Sequence, residues 1–182
     1  MHPSLRAQLE AHRPADAAEA RHLDALRALA DAGPDALSRS HFDPGHFTAS
    51  AFVLSPDRSA ILLIFHGKLH RWLQPGGHID PSDPSLLAAA EREAREETGV
   101  ERGASPWLLD VDVHEIPPNA KRGEPAHRHY DARFAWVADT WDIRAASDAV
   151  AARWTPLHAV GPEESDESVL RAVRKLRTQL GA

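Results

Sequence analysis

The sequence predicts an α/β fold in which a mixed β-sheet is sandwiched between helices, preceded by a helical extension. Three observations predict it. An alanine-rich stretch near the N-terminus carries leucines at helical spacing, strand-like runs follow it, and two further helical segments divide and then close that series.

Taken in order, residues from Pro14 to about Leu37 place Leu23, Leu26 and Leu29 on one face of a charged segment, which reads as one amphipathic helix. Such a helix packs on the following domain, or serves as a dimer contact or a wall of a substrate pocket. A stretch rich in Pro, Gly and His around His41 to His46 links it to a first strand, Thr48 to Leu54. Ser55-Pro56-Asp57-Arg58 is a hairpin turn into Ala60 to Phe65, whose Ile61-Leu62-Leu63-Ile64 run implies burial on both faces. Trp72-Leu73-Gln74 leads into the turn Pro75-Gly76-Gly77. Asp83 and Pro84 then act as N-cap and first-turn residue, and Gly99 as the stop, of a helix from Pro84 to Thr98. Strands follow at Trp107 to Ile116 and His129 to Ala138, separated by the loop Pro117 to Pro125. In the second of these, Tyr130, Ala132, Phe134 and Trp136 alternate with His129, Asp131, Arg133 and Ala135, as in a half-buried strand. A last strand near Ala152 to Pro156 precedes a helix from about Asp166 to Leu180. The expected division is a helical extension over 1–45 and a domain over 46–182.

Composition narrows the function. A chain of 182 residues with 42% hydrophobic content can build one core. A net charge of -6 with scattered basic residues argues against stable nucleic-acid binding, while nucleotides as small substrates fit. Without cysteine there is no disulfide, no thiolate zinc site and no thiol nucleophile. The N-terminus has no signal-peptide core, and no apolar run approaches the ~20 residues that span a bilayer. The expectation is a soluble, cytoplasmic protein without a membrane partner.

The chemistry concentrates in Arg92, Glu93, Ala94, Arg95, Glu96, Glu97, Thr98, Gly99 and Val100. Three glutamates in the last turns of a helix face the negative end of its dipole, and Glu93 and Glu97 repel at a spacing of four, each effect costing roughly 0.3 to 1 kcal/mol. A bound cation removes both penalties. Leu87, Ala90 and Ala94 form the apolar stripe, Glu93 and Glu97 flank it, and Glu91 and Arg95 point away.

With Gly76 and Gly77 upstream, this segment resembles the Nudix box, the signature of the Nudix hydrolases. That box is written G-x5-E-x7-R-E-U-x-E-E-x-G-U, with U an aliphatic residue. Gly77 opens it here and Arg92 to Val100 close it. Asp83 stands where the family has its first Glu, and one extra residue lies near Pro84. The resemblance implies an α/β/α Nudix fold and a hydrolase that uses Mg²⁺ or Mn²⁺ to cleave the diphosphate bond of a nucleoside diphosphate linked to another group X.

On that resemblance, Glu93, Glu96, Glu97 and the backbone carbonyl of Gly77 hold the metal, hard oxygen donors for a hard cation. Glu93 and Glu96 also serve in catalysis, and Arg92 orients a glutamate. Family members sometimes use a further loop carboxylate as base. Asp148 occupies a suitable place, and equally suits a helix cap or a solvated loop. His127, Arg128 and His129 could grip phosphate or, for the two histidines, ligate zinc, and Trp72 and Tyr130 could stack on a base or simply pack. Two other readings share the fold. An isoprenoid-diphosphate isomerase resembles it but uses a catalytic cysteine, which this chain lacks. A nonhydrolytic ligand sensor would carry a degraded box or an attached DNA-binding module, and neither is seen. The expected partner is a small diphosphate compound, and a homodimer would suit the family.

Overall fold

The computed structural model describes residues 3–146 and 149–181, with the side chains of Pro3 and Ser4 left aside. Its elements are the helices α1 (Pro3–Ala11), α2 (Ala17–Asp31), α3 (Leu86–Thr98) and α4 (Glu167–Leu180), and seven strands. The strands are β1 (Gly45–Leu54), β2 (Ala60–His66), β3 (Arg71–Leu73), β4 (Gly76–His78), β5 (Trp107–Ile116), β6 (His127–Val137) and β7 (Ala149–Pro156).

The sheet runs β3-β2-β1-β6-β5, with β4 added to β1 and β7 to β2. Its spine is β1 against β6, the parallel pair, in register from Gly45 beside Arg128 to Leu54 beside Val137. Every residue of β1 is buried. The alternation of a strand then sorts its side chains to two faces. Phe47, Ala49, Ala51 and Val53 join Tyr130, Ala132, Phe134 and Trp136 in a core closed by α1, α2 and α3. Phe52, Leu54, Ile61 and Leu63 meet Val169, Ala172, Val173 and Leu176 of α4 on the other face. The layering is the expected mixed sheet between helices, and the extension contributes Leu5, Leu9, Leu23, Leu26 and Leu29 to the first core.

Several boundaries differ from the expectation for identifiable reasons. The stretch from Pro14 to Leu37 is not one helix. Asp16 caps α2 by accepting the Glu19 amide at 2.8 Å, and Gly33 at φ 110 breaks it before a short 3-10 turn, Pro34–Leu37. Helix α1 was not expected at all. Ser85, not Asp83, caps α3, accepting the Ala88 amide at 3.1 Å, so the helix starts two residues later than Pro84. Gly99 stops it in the left-handed conformation, as expected. Strands β1, β6 and β7 each begin earlier than the sequence pattern indicated, and β6 includes His127. No helix among the described residues is long and apolar enough to cross a membrane.

A charged network is sealed between β5, β6 and α4. Arg133, only 2% exposed, reaches Asp131 at 2.9 Å, Asp110 at 3.2 Å and Asp112 at 3.2 Å. Arg171 of α4 joins the same Asp110 at 2.7 Å and Asp112 at 3.0 Å. Burial disfavours charge on Asp112, yet Arg133, the His114 hydrogen bond and Arg171 outweigh it and hold the carboxyl well below the ordinary carboxylate range. Asp131 also accepts from Thr48 and Ser50 of β1. This network fastens α4 across the sheet edge.

Candidate active site

The glutamates of α3 are delivered to one place by two features. Ser85 and Gly99 fix the ends of the helix, and the small residues Ala89, Ala90 and Ala94 let it lie close on the sheet. Opposite it, the short strand β4 pairs antiparallel with β1, setting Gly77 beside Ala49 and Gly76 beside Ser50. Gly77 therefore faces the α3 side of the sheet and Gly76 the other.

At Gly77 the carboxylate of Glu93 presses against the backbone, so that a Cβ placed there would lie 2.6 Å from Glu93 Oε1. Only glycine leaves the Glu93 carboxylate where it is. Glu97, 8% exposed, accepts the Gly76 amide at 3.2 Å. Glu96 is the outermost of the three and exposed. Burial raises the Glu93 carboxyl above its ordinary value, Glu96 and Asp83 add to the rise, and Arg92 opposes it. A carboxylate so placed gains from any cation that joins it.

Arg92 is a hub. Its Nη1 donates to Glu93 Oε1 at 2.9 Å and to Glu96 Oε2 at 3.2 Å, and its Nη2 to the His78 carbonyl at 2.9 Å. The remaining edge grips Asp83, with Nε at 3.1 Å from Oδ1 and Nη2 at 2.9 Å from Oδ2. Asp83 is thus no helix cap. Its carboxylate, which also takes the Asp80 amide at 2.8 Å, spends its acceptors on holding the guanidinium flat. These bonds keep the Arg92 guanidinium charged, its pKa raised first by Asp83. The extra residue near Pro84 is absorbed in the loop ahead of Ser85. Arg95 is exposed, and Glu91 turns to Arg102 at 2.9 Å rather than to Arg95.

The other expected residues divide. Tyr130 is 4% exposed in the core beside Phe47, on the sheet face that α3 covers, so it packs and drops out of the substrate set. Trp72 is held in the β2–β3 packing, with the Arg153 guanidinium 4.0 Å from its ring centroid and Phe65 at its edge. Arg128 points away from His127 and His129 and lies exposed, 3.9 Å from Glu115. Burial and the neighbours His114, His78, His46 and His127 push the His129 pKa down, which favours its neutral imidazole. Asp148 lies outside the described residues.

Sequence reasoning set neither His46 nor His78 among the site residues. Both join His127, His129 and His114 in one group, because β5, β6, β1 and β4 lie side by side. The signal that could have found His46 was the alternation His46, Thr48, Ser50, which matches His129, Asp131, Arg133 one strand away.

The oxygen donors of Glu93 and Glu97 beside the glycine pair, with Glu96 one turn along from Glu93 at the solvent edge, fit a divalent metal of the magnesium class. Known proteins bear on the site. A family model, the NUDIX domain, matches residues 44–176. A probable DHNTP pyrophosphohydrolase of Lactococcus lactis subsp. cremoris (strain MG1363) is 36% identical over 87 residues, 48% of this chain and 51% of that protein. The chain thus spans about half the length of this curated relative. Among solved structures, the MutT protein of Methanosarcina mazei Go1 superposes with a TM-score of 0.58 at 17% identity, over 75% of this chain and 95% of that one. The dihydroneopterin triphosphate pyrophosphohydrolase of E. coli gives a TM-score of 0.52 at 13% identity, over 75% and 96%. With Glu93 and Glu97 set against Gly77 and Gly76 and the family model covering most of its length, this chain belongs to the NUDIX family, that of the Nudix hydrolases.

Proposed function

We propose that this protein is a pyrophosphohydrolase that uses Mg²⁺ or Mn²⁺ to cleave the diphosphate bond of a nucleoside diphosphate linked to another group X. The observation that carries the reading is the convergence of Glu93 and Glu97 on the glycine pair, with Arg92 bridging Glu93, Glu96 and Asp83. Glu93, Glu97 and the Gly77 carbonyl would hold the cation, and Glu96, at the solvent edge, would be shared with it or guide the water.

When bound, the metal polarises a phosphoryl oxygen, acidifies water and neutralises charge on the leaving phosphate. The protein supplies the geometry. Arg92 fixes Glu93 in one rotamer through a planar fork, and Asp83 and the His78 carbonyl fix Arg92 in turn. Burial of Glu93 makes its carboxylate a strong partner for positive charge and a ready proton acceptor. Glu96, exposed while bonded to Arg92, is the carboxylate open to substrate and water.

The name of the Lactococcus lactis relative favours a pterin or nucleoside triphosphate as substrate, with pyrophosphate as the leaving group. The experiment is a panel of dihydroneopterin triphosphate, nucleoside triphosphates, nucleotide sugars, dinucleoside polyphosphates and an isoprenoid diphosphate, assayed with Mg²⁺, Mn²⁺ or EDTA. Metal-dependent release of phosphate, pyrophosphate or a nucleotide, according to the member cleaved, is expected. Binding without turnover of any member would instead support a sensor.

A further inference from the structure

We propose that His46, His127 and His129 form a second metal site, for one borderline transition ion of the zinc class, separate from the glutamate cluster. The donor nitrogens of these three side chains lie within 4.8 Å of one another, and their rings are 4.8 to 5.4 Å apart between centroids. The backbone builds this trio. In the parallel pair β1–β6, His46 stands directly beside His129, and His127 lies two residues earlier on the same face of β6. Bond lengths of about 2.0 Å to an imidazole nitrogen require the donors to draw together by roughly 1 Å, which rotation of the rings supplies.

Hydrogen bonding fixes which nitrogen His46 and His127 offer. His46 Nδ1 lies 3.1 Å from the His41 carbonyl, and His127 Nδ1 lies 2.8 Å from the Pro125 carbonyl. A carbonyl only accepts, so both rings carry their proton on Nδ1 and turn an Nε2 lone pair elsewhere. An Nδ1–H held by a backbone oxygen, leaving Nε2 as the donor, is the usual support of a metal-binding histidine. His46 Nε2 is buried and has no hydrogen-bond partner among the described residues, although His46 is only 1% exposed. A buried acceptor left so is costly, and a cation shared with His127 and His129 satisfies it.

The chemistry separates the two sites. Imidazole selects zinc, cobalt, nickel or copper, whereas carboxylate and carbonyl oxygen select magnesium. Position separates them too, since Gly77 faces Glu93 on the α3 side of the sheet while His46 and His129 lie on the other. Three protein ligands leave a coordination position open for water or a substrate oxygen. Because His46 follows the segment from His41 and the others open β6, occupation of the site ties the entry of β1 to that of β6.

The test uses the full chain without a histidine tag, stripped with EDTA and then kept in excess Mg²⁺ to occupy the carboxylate site. Co²⁺ is titrated and its visible absorption recorded, Zn²⁺ is titrated by calorimetry, and histidine side-chain NMR follows the Zn²⁺-bound wild type. The expected result is one equivalent of Co²⁺ or Zn²⁺, perturbation of the His46, His127 and His129 resonances, and affinity weakened at least ~100-fold in His127→Gln and His129→Gln. Glu93→Gln, which removes a carboxylate of the other cluster, is expected to bind Co²⁺ as wild type does. The proposal is overturned if no equivalent binds in excess Mg²⁺, if the histidine variants bind unchanged, or if Glu93→Gln abolishes the signal. The NMR readout on wild type decides the matter even where a histidine variant does not fold.

Discussion

Glycine 77 and Arg92 show how much of the candidate site depends on the shape of single residues. A methyl group at Gly77 meets only the end of the Glu93 side chain, which can swing aside, so Gly77→Ala is expected to change stability by less than about 1 kcal/mol. Turnover should nevertheless fall at least tenfold, because Glu93 is displaced; paired urea melts and rate assays check this. Arg92→Lys keeps the charge but loses the fork that joins Asp83 to Glu93. Its expected signature is a weakening of Mg²⁺ affinity by about 10- to 100-fold with an unchanged melt, measured as the metal dependence of the rate. The three glutamates, Arg92 and the glycines were legible in the sequence because their residue types and order are distinctive. Asp83 was misread because a helix cap and an arginine partner call for the same side chain. His46 was missed, since it comes close to His127 only through the parallel pairing of β1 with β6, which matching alternation in two distant segments merely hints at.

At the scale of elements, α3 is the piece that carries chemistry, and its start is built differently from what its sequence suggests. Ser85→Ala should destabilise the fold by about 1 kcal/mol while leaving the Arg92–Asp83 contact in place. Asp83→Ala should do the reverse, with a small change in the melt and a larger loss of rate. Equal effects of the two substitutions on both readouts would show that Asp83 is only part of the helix start. Strands β1, β2, β5 and β6 were readable from alternation or continuous apolar runs, but β3 and β4 are three residues each and have no period to read. Helix α1 was missed because it is short and, among its described side chains, only Leu5 and Leu9 reach the core. Gly33 and Pro34 explain why one predicted helix is a helix and a separate turn.

Across the whole molecule, Glu19 links the N-terminal helices to the last one. Fully buried, it lies 2.6 Å from His12 Nε2 and accepts from Lys175 of α4 and from the Ala15 amide. Burial alone would raise its pKa, but His12, the Ala15 amide and Lys175 reverse that and lower it from 4.5 to about 2. The unfolded chain therefore binds this proton more readily than the native one. The contribution to stability is complete above about pH 4.5 and is lost as pH falls toward about 2. Glu19→Gln should destabilise the protein by about 3–5 kcal/mol at neutral pH, leaving Lys175 uncompensated. Urea denaturation across that acid range should show the wild-type advantage over Glu19→Gln shrinking as the pH drops. Such long-range ties were not legible, because 156 residues separate Glu19 from Lys175. The layered order of sheet and helices was legible, because it follows from where each segment is apolar.

The central claim is that the α3 carboxylates serve metal-dependent hydrolysis, and comparison of Glu97→Gln with wild type tests it most directly. The substitution keeps the volume and an acceptor for the Gly76 amide while removing one ligand charge. With the cleaved substrate from the panel and saturating Mg²⁺, the account predicts at least ~100-fold loss of kcat with the melting temperature nearly unchanged. Turnover equal to that of wild type in the folded variant would contradict it.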